Sequence, residues 1–139
     1  MAWLQENGFS LFLLVMAVGL VFRGPILSRF FGIVSISVHD LANRLGGPEP
    51  PLLVDVRSTR EFNQGHVREA VLVPLPELRE KAASLRTRYP DRGVAVICRT
   101  GNRSLSGAVI LKRAGFPTVC NVAGGMLRWE EQGYPRQGG

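Results

Sequence analysis

Short apolar runs separated by helical patterns constrain the fold of this 139-residue chain most strongly. The runs occupy Val34–Ile36, residues 52–54 (ending at Asp55), residues 71–73, Val94–Ile97 and residues 118–122. Strands that are apolar throughout, rather than alternating, are typical of a parallel sheet that helices cover on both faces. The sequence therefore predicts an α/β fold built on a parallel sheet.

Helix signals fill the gaps between these runs. Ser37 with Asp40, and Ser58 with Glu61, form the capping-box pattern that opens a helix. Apolar spacing, a stop at a glycine and a final glycine pair predict the later helices. The first of these helices contains Leu78, Ala82, Leu85 and Tyr89. The second covers residues 104–114 before Gly115, and the last contains Met126, Leu127 and Trp129.

Residues 1–34 are predicted to be an N-terminal transmembrane anchor followed by a juxtamembrane connector, with a separate domain at residues 35–139. In residues 9–22 only Ser10 and Gly19 interrupt an apolar run. That run spans about 21 Å as a helix, and a start at Trp3 extends it to about 30 Å, the thickness of a hydrocarbon core. A cleaved secretory signal, which would export the domain, and a buried or partner-docking helix stay open as alternatives.

The charges around this run predict its orientation. No Lys or Arg precedes it, whereas Arg23 and Arg29 follow it. The positive-inside rule then places the domain on the cytoplasmic side of the membrane. A reducing cytoplasm also suits a chain with only two cysteines, Cys98 and Cys120.

The formal net charge of +6 indicates a basic surface and is compatible with anionic substrates. The basic residues are not interleaved with aromatic ones, so a nucleic-acid partner is not expected. No Cys or His pair has the spacing of metal ligands, so neither a metal nor another cofactor is expected. Cys120 lies inside an apolar run and is predicted to be a buried structural thiol.

Cys98 is the candidate catalytic residue, because it ends a predicted strand just before a loop that leads into a helix. Ligands of parallel sheets bind beyond the carboxyl ends of the strands. The first N–H groups of a helix lack internal partners and favour an anion or a thiolate. The candidate substrate-binding residues are those of this loop and helix start: Arg99, Thr100, Gly101, Asn102, Arg103 and Ser104.

The spacing within the loop distinguishes two kinds of chemistry. Cysteine phosphatases place five residues between the nucleophile and the arginine, whereas four separate Cys98 from Arg103. A shorter loop makes a smaller cradle, which suits a sulfur atom carried on the cysteine better than a whole phosphate.

Three ordered motifs resemble those of rhodanese-family sulfurtransferases. The first contains Asp55-Val56-Arg57, Glu61-Phe62 and Gly65-His66-Val67 with Ala70; the second is Cys98-x-x-Gly101-x-Arg103-Ser104; the third is Asn121-Val122-Ala123-Gly124-Gly125-Met126 with Trp129. The resemblance covers about residues 35–135. It implies a rhodanese-like α/β fold with a five-stranded parallel sheet.

The resemblance also implies a reaction. Cys98 would attack a small anionic sulfur donor such as thiosulfate, form a persulfide, and pass the outer sulfur to an acceptor thiol or to cyanide. Arg99 and Arg103 would bind the donor, and the amides of residues 99–104 would stabilise the persulfide. A cysteine-dependent phosphatase or arsenate reductase, and a non-enzymatic binding module tethered to a membrane, stay open as alternatives.

The remaining polar residues of the motifs are predicted to support the site. Asp55 is expected to hydrogen-bond neighbouring loops, and Arg57 to pair with Asp55 or another acid. His66 is expected to be structural, because a thiolate made by its surroundings needs no dedicated base. Gly124 and Gly125 are attributed to close packing rather than to phosphate binding.

Overall fold

The computed structural model describes residues 2–139, without the side chains of residues 2–6, 24 and 27. The strands are β1 (Val34–Ile36), β2 (Leu52–Asp55), β3 (Val71–Leu72), β4 (Val94–Ile97) and β5 (Val119–Val122). The helices are α1 (Ala2–Phe30), α2 (Val38–Leu45), α3 (Thr59–Asn63), α4 (Leu75–Arg88), α5 (Asn102–Arg113) and α6 (Gly125–Glu131).

The five strands form one parallel sheet in the order β1-β5-β4-β2-β3. The strand that precedes Cys98 is therefore central, with a neighbour on each side. Side chains of a strand alternate between the two faces, and both faces of this sheet are covered. α4 and α5 pack on one face, around Val54 and Val96, and α2 and α6 pack on the other, around Ile97 and Trp129. The predicted α/β fold is confirmed.

Both predicted capping boxes are present. The Ser37 hydroxyl accepts from the Asp40 N–H at the start of α2, and the Ser58 hydroxyl accepts from the Glu61 N–H at the start of α3. In each case the acidic side chain accepts in return from the backbone N–H of the serine. α5 begins at Asn102, two residues before the predicted start, because Gly101 adopts a positive φ of 105° that turns the chain directly into the helix.

The N-terminal region differs from its prediction. Instead of a connector from residue 24, α1 continues through Pro25 to Phe30. Proline removes a single N–H donor from a helix, and α1 stays continuous beyond it, with the Ser28 hydroxyl donating to the Pro25 carbonyl at 2.8 Å. α1 also packs against α5.

The predicted transmembrane anchor is not supported. Among the described residues, no helix combines the length and the apolar character needed to cross a membrane. The apolar run at residues 9–22 gives about 21 Å of helix, well below the thickness of a hydrocarbon core. Trp3, where the longer predicted span starts, lies outside the described side chains.

Candidate active site

Cys98 lies at the base of a tight loop between β4 and α5. β4 ends at Ile97, and Gly101 forms the N-cap of α5. The Cys98 side chain is 1% exposed. Its Sγ accepts a hydrogen bond from the Gly101 N–H at 3.1 Å and lies 3.3 Å from the Ser104 hydroxyl. The loop glycine and the loop serine therefore both contact the sulfur of the predicted nucleophile.

α6 holds the loop in this shape. The Met126 N–H donates to the Cys98 carbonyl at 2.8 Å, and the Leu127 N–H donates to the Arg99 carbonyl at 3.0 Å. Because a trans peptide points its C=O and N–H in opposite directions, these bonds turn the N–H groups that follow away from α6. The free N–H groups at the start of one helix thus set the direction of the peptides beside the sulfur.

Gly125 makes this approach possible. A Cβ on residue 125 would lie 2.3 Å from the Cys98 carbonyl oxygen and 2.7 Å from the Arg99 carbonyl carbon. Its φ of +54° also favours glycine. The close packing predicted for the glycine pair is therefore correct.

Both loop arginines are engaged by carboxylates. Arg103 makes a two-pronged contact with Glu61, at 2.7 and 2.8 Å, and Arg99 lies 3.5 Å from a Glu130 oxygen. The Arg103 hydrogen bond is the main reason that the pKa of Glu61 falls to about 2. The same contact raises the pKa of Arg103. The expected donor-binding groups thus have acidic partners with which an anionic donor has to compete.

The arginine side chains remain partly open to solvent, with 45% of Arg99 and 40% of Arg103 exposed. Thr100 and Asn102 are also exposed, so both lie on the outer rim of the loop. A cavity of about 290 Å³ opens beside this rim. It is lined by Arg57, Glu61, Gln64, Gly65, Arg99, Glu130 and Arg136.

Asp55 and Arg57 form a buried ion pair beneath this cavity. Arg57 Nη2 lies 2.8 Å from Asp55 Oδ2, and Arg57 Nε donates to both carboxylate oxygens at 3.0 and 3.1 Å. Arg57 also donates to the carbonyls of Gly65, at 2.8 Å, and Glu61, at 3.3 Å. The predicted pairing is present, and through it β2 fixes α3, the element that carries the partner of Arg103.

Two other residues have structural surroundings. His66 Nδ1 lies 2.8 Å from the Phe62 carbonyl, and its ring stacks on the Phe62 ring. Cys120 is buried, and its burial raises the pKa of its thiol. Within residues 2–139, no group of three or more His, Cys, Asp and Glu side chains is arranged to hold a metal ion.

Sequence reasoning did not identify Asn121, Glu61 and Glu130 as neighbours of the loop. Asn121 accepts a short hydrogen bond from Ser104, and the two glutamates engage the two arginines. Asn121 belongs to the third motif and is a polar side chain inside an apolar strand, but neither signal assigned it a contact with the loop. The pairs of Arg103 with Glu61 and Ser104 with Asn121 join residues 42 and 17 positions apart, so local spacing gives no sign of them.

Comparison with known proteins gives a consistent result. Residues 37–132 match the family described as "Rhodanese-like domain". The chain is 32% identical over 100 residues to a protein from Allochromatium vinosum named "Sulfurtransferase", covering 72% of this chain and 91% of the relative. It is 35% identical over 104 residues to the "Putative sulfurtransferase YtwF" of Bacillus subtilis, covering 75% and 97%. A crystal structure of a rhodanese-related protein from Thermoplasma volcanium aligns with a TM-score of 0.65 at 34% identity, covering 75% and 97%.

Proposed function

This chain belongs to the rhodanese-like domain family of sulfurtransferases, and we propose that it carries sulfur as a persulfide on Cys98. The observation that supports this most directly is the setting of the Cys98 sulfur. It lies at the start of a helix, accepts a hydrogen bond from a backbone N–H at 3.1 Å, and is almost fully shielded from water. The helix start and the backbone N–H favour negative charge on sulfur, and the burial shields a carried sulfur from water.

The proposed reaction has two displacements on sulfur. The Cys98 thiolate attacks the sulfane sulfur of thiosulfate or a similar donor, so that a new S–S bond forms and the donor S–S bond breaks. With thiosulfate, sulfite leaves with the electron pair of the broken bond. An acceptor thiolate or cyanide then attacks the outer sulfur of the persulfide, and Cys98 leaves as a thiolate. The products are a persulfide of the acceptor or thiocyanate, and no external oxidant or reductant is needed.

The residues around Cys98 suit these steps. Arg99 and Arg103 attract the donor anion, which exchanges for the carboxylates of Glu130 and Glu61. The Gly101 N–H stabilises the sulfur anion without moving, because α6 already fixes the loop. Thr100 and Asn102 form the rim that the donor and the acceptor cross. The four-residue loop favours a single carried sulfur over a bound phosphate.

We propose that residues 35–139 form the transfer domain and that it works in a reducing compartment such as the cytoplasm. Cys98 and Cys120 are both free thiols and belong to the two different core clusters on opposite faces of the sheet. A disulfide between them is therefore not favoured by the fold, and a reducing environment would keep Cys98 available for attack.

The test is the intact mass of the full chain after thiosulfate treatment, with the Cys98→Ser variant and the Cys120→Ser variant as a matched pair. We expect wild type and C120S to gain the mass of one sulfur atom, and C98S to gain none. Cyanide should then remove the added mass. A gain that persists in C98S, or no gain in wild type, would contradict the proposal. Turnover of an aryl phosphate or arsenate that depends on Cys98 would instead favour the phosphatase or reductase alternative.

A further inference from the structure

Asn121 is a buried polar residue that the proposed reaction does not yet use. It lies in β5, is 3% exposed, and pairs in register with Val96 of β4 and Ser35 of β1. A buried amide is costly unless it is hydrogen-bonded. Its Oδ1 accepts from the Ser104 hydroxyl, and its Nδ2 donates to the Ser35 hydroxyl at 3.4 Å. A chain of polar groups therefore runs from the Cys98 sulfur through Ser104 and Asn121 to Ser35.

The number of hydrogens available to these polar groups fixes which group donates to which. A serine hydroxyl has one hydrogen to donate, and a carbonyl oxygen has none. Because Ser104 donates to Asn121 Oδ1, its oxygen can only accept from Cys98, which lies 3.3 Å away. That arrangement requires an S–H group on Cys98. The observed network is thus the one that fits the protonated thiol.

A sulfur anion requires the reverse direction. A thiolate has no hydrogen, so Ser104 must donate to sulfur and must give up its bond to Asn121 Oδ1. Rotation of the Asn121 amide by half a turn then places Nδ2 as a donor to the Ser104 oxygen and Oδ1 as an acceptor for Ser35. Ser35 is exposed, so its hydroxyl is free to donate or to accept. Every polar group keeps a partner in both directions.

We propose that Asn121 is a positioning residue of the transfer reaction, whose amide rotates so that Ser104 donates to the Cys98 sulfur whenever that sulfur is an anion. The thiolate that attacks the donor and the thiolate that leaves the persulfide both need this direction. An amide suits the position because it offers a donor and an acceptor of nearly the same shape. The proposal rests on the proposed function only in taking Cys98 as the reacting thiol.

Other charged groups near Cys98 act on it in every variant alike. They come from the loop, from α5, from the end of β2 and the turn after it, from α3 and from α6, and comprise Arg99, Arg103, Asp55, Arg57, Glu61 and Glu130. Among the described residues, none of these six side chains hydrogen-bonds to Asn121. Differences among the uncharged variants N121L and S104A therefore report the polar chain, whereas N121D also adds a carboxylate whose charge opposes the thiolate.

The test measures how the rate of Cys98 alkylation by iodoacetamide depends on pH in the full chain. Trypsin places Cys98 in residues 93–99 and Cys120 in residues 114–128, so mass spectrometry follows both thiols separately. Asn121→Asp offers acceptors only and keeps the Ser104 hydrogen, so the pH of half-maximal alkylation should rise by about one unit or more. Asn121→Leu removes the Nδ2 donor that supports Ser104 when it donates to the sulfur anion, so this pH should also rise.

Two further variants separate the polar chain from other effects. Ser104→Ala should raise the pH of half-maximal alkylation, and Asn121→Leu should cause no further rise when the two are combined. Ser106→Ala, a matched exposed serine of α5, should leave it unchanged. Thermal melting checks that each variant is folded, and if N121D does not fold, N121L, S104A and the double variant still decide.

The proposal is overturned if N121L lowers the pH of half-maximal alkylation, because Asn121 would then only hold the Ser104 hydrogen away from sulfur, or if the N121L shift persists in the S104A background. A purely structural Asn121 would lower the melting temperature and leave the pH profile unmoved. Because alkylation needs no sulfur donor, this result is independent of thiosulfate loading. Failure of the loading experiment and failure of the Asn121 proposal can therefore be told apart.

Discussion

Gly125→Ala tests the contact between α6 and the catalytic loop. The added Cβ would lie 2.3 Å from the Cys98 carbonyl oxygen, where ordinary contact begins at 3.4 Å, so the loop has to move by about 1 Å. That movement disrupts the 2.8 and 3.0 Å hydrogen bonds from Met126 and Leu127, which contribute about 1 kcal/mol each. The left-handed φ of +54° adds about 1–2 kcal/mol for alanine. We therefore expect the free energy of unfolding to fall by about 3–4 kcal/mol.

Gly133→Ala is the matched control, because Gly133 has a φ of +74° and open space around its Cβ position. In Gly133→Ala the free energy of unfolding should fall only by the cost of the left-handed φ, about 1–2 kcal/mol. Urea denaturation measures both variants. The rate of sulfur loading from thiosulfate should fall about 100-fold in G125A, as expected for a displacement of about 1 Å at a reacting atom, and should stay near wild type in G133A. Equal losses of stability and of loading rate in the two variants would refute the argument.

Two ion pairs give further predictions. Because the pKa of Glu61 is lowered to about 2 in the folded protein, its pair with Arg103 contributes stability that is complete above about pH 4.5 and is lost as the pH falls toward 2. The difference in free energy of unfolding between wild type and Glu61→Gln, measured by denaturation at several pH values, should therefore shrink over that window. A constant difference would contradict this prediction. Arg57→Met leaves Asp55 buried without its partner and should lower the free energy of unfolding by about 3–5 kcal/mol in the same assay. Combining it with Asp55→Asn should recover part of this stability. No recovery would argue against the ion pair as the cause.

The strands and the catalytic loop could be predicted because their signals are local. Val94–Ile97 is apolar throughout since both faces of β4 are covered, and Cys98 follows it immediately. The capping boxes at Ser37 and Ser58 are patterns within four residues. Each of these features depends on neighbours in sequence, so the amino-acid order alone was sufficient.

The contacts that shape the site depend on distant segments. Glu61 was predicted as part of a capping box and of the first motif, but neither pattern gives it Arg103 as a partner, which follows from the packing of α3 beside the loop. Asn121 was predicted as part of the third motif, and its contact with Ser104 follows from the sheet order, which places β5 beside β4. The N-terminal helix was predicted to end before residue 24, whereas α1 continues through Pro25 to Phe30, because a proline removes only one N–H donor from a helix.

The burial of Cys98 has a consequence for how long a sulfur atom can stay loaded. At 1% exposure, bulk water and large thiols do not reach the sulfur directly, and the approach lies past the exposed rim of Thr100 and Asn102. A persulfide formed there is shielded from the bulky thiols that it would otherwise meet in random collisions. Shielding of this kind turns a reactive group into a stored one, which is released only to an acceptor that is slender enough, or carries its thiol on a protruding enough arm, to enter the loop.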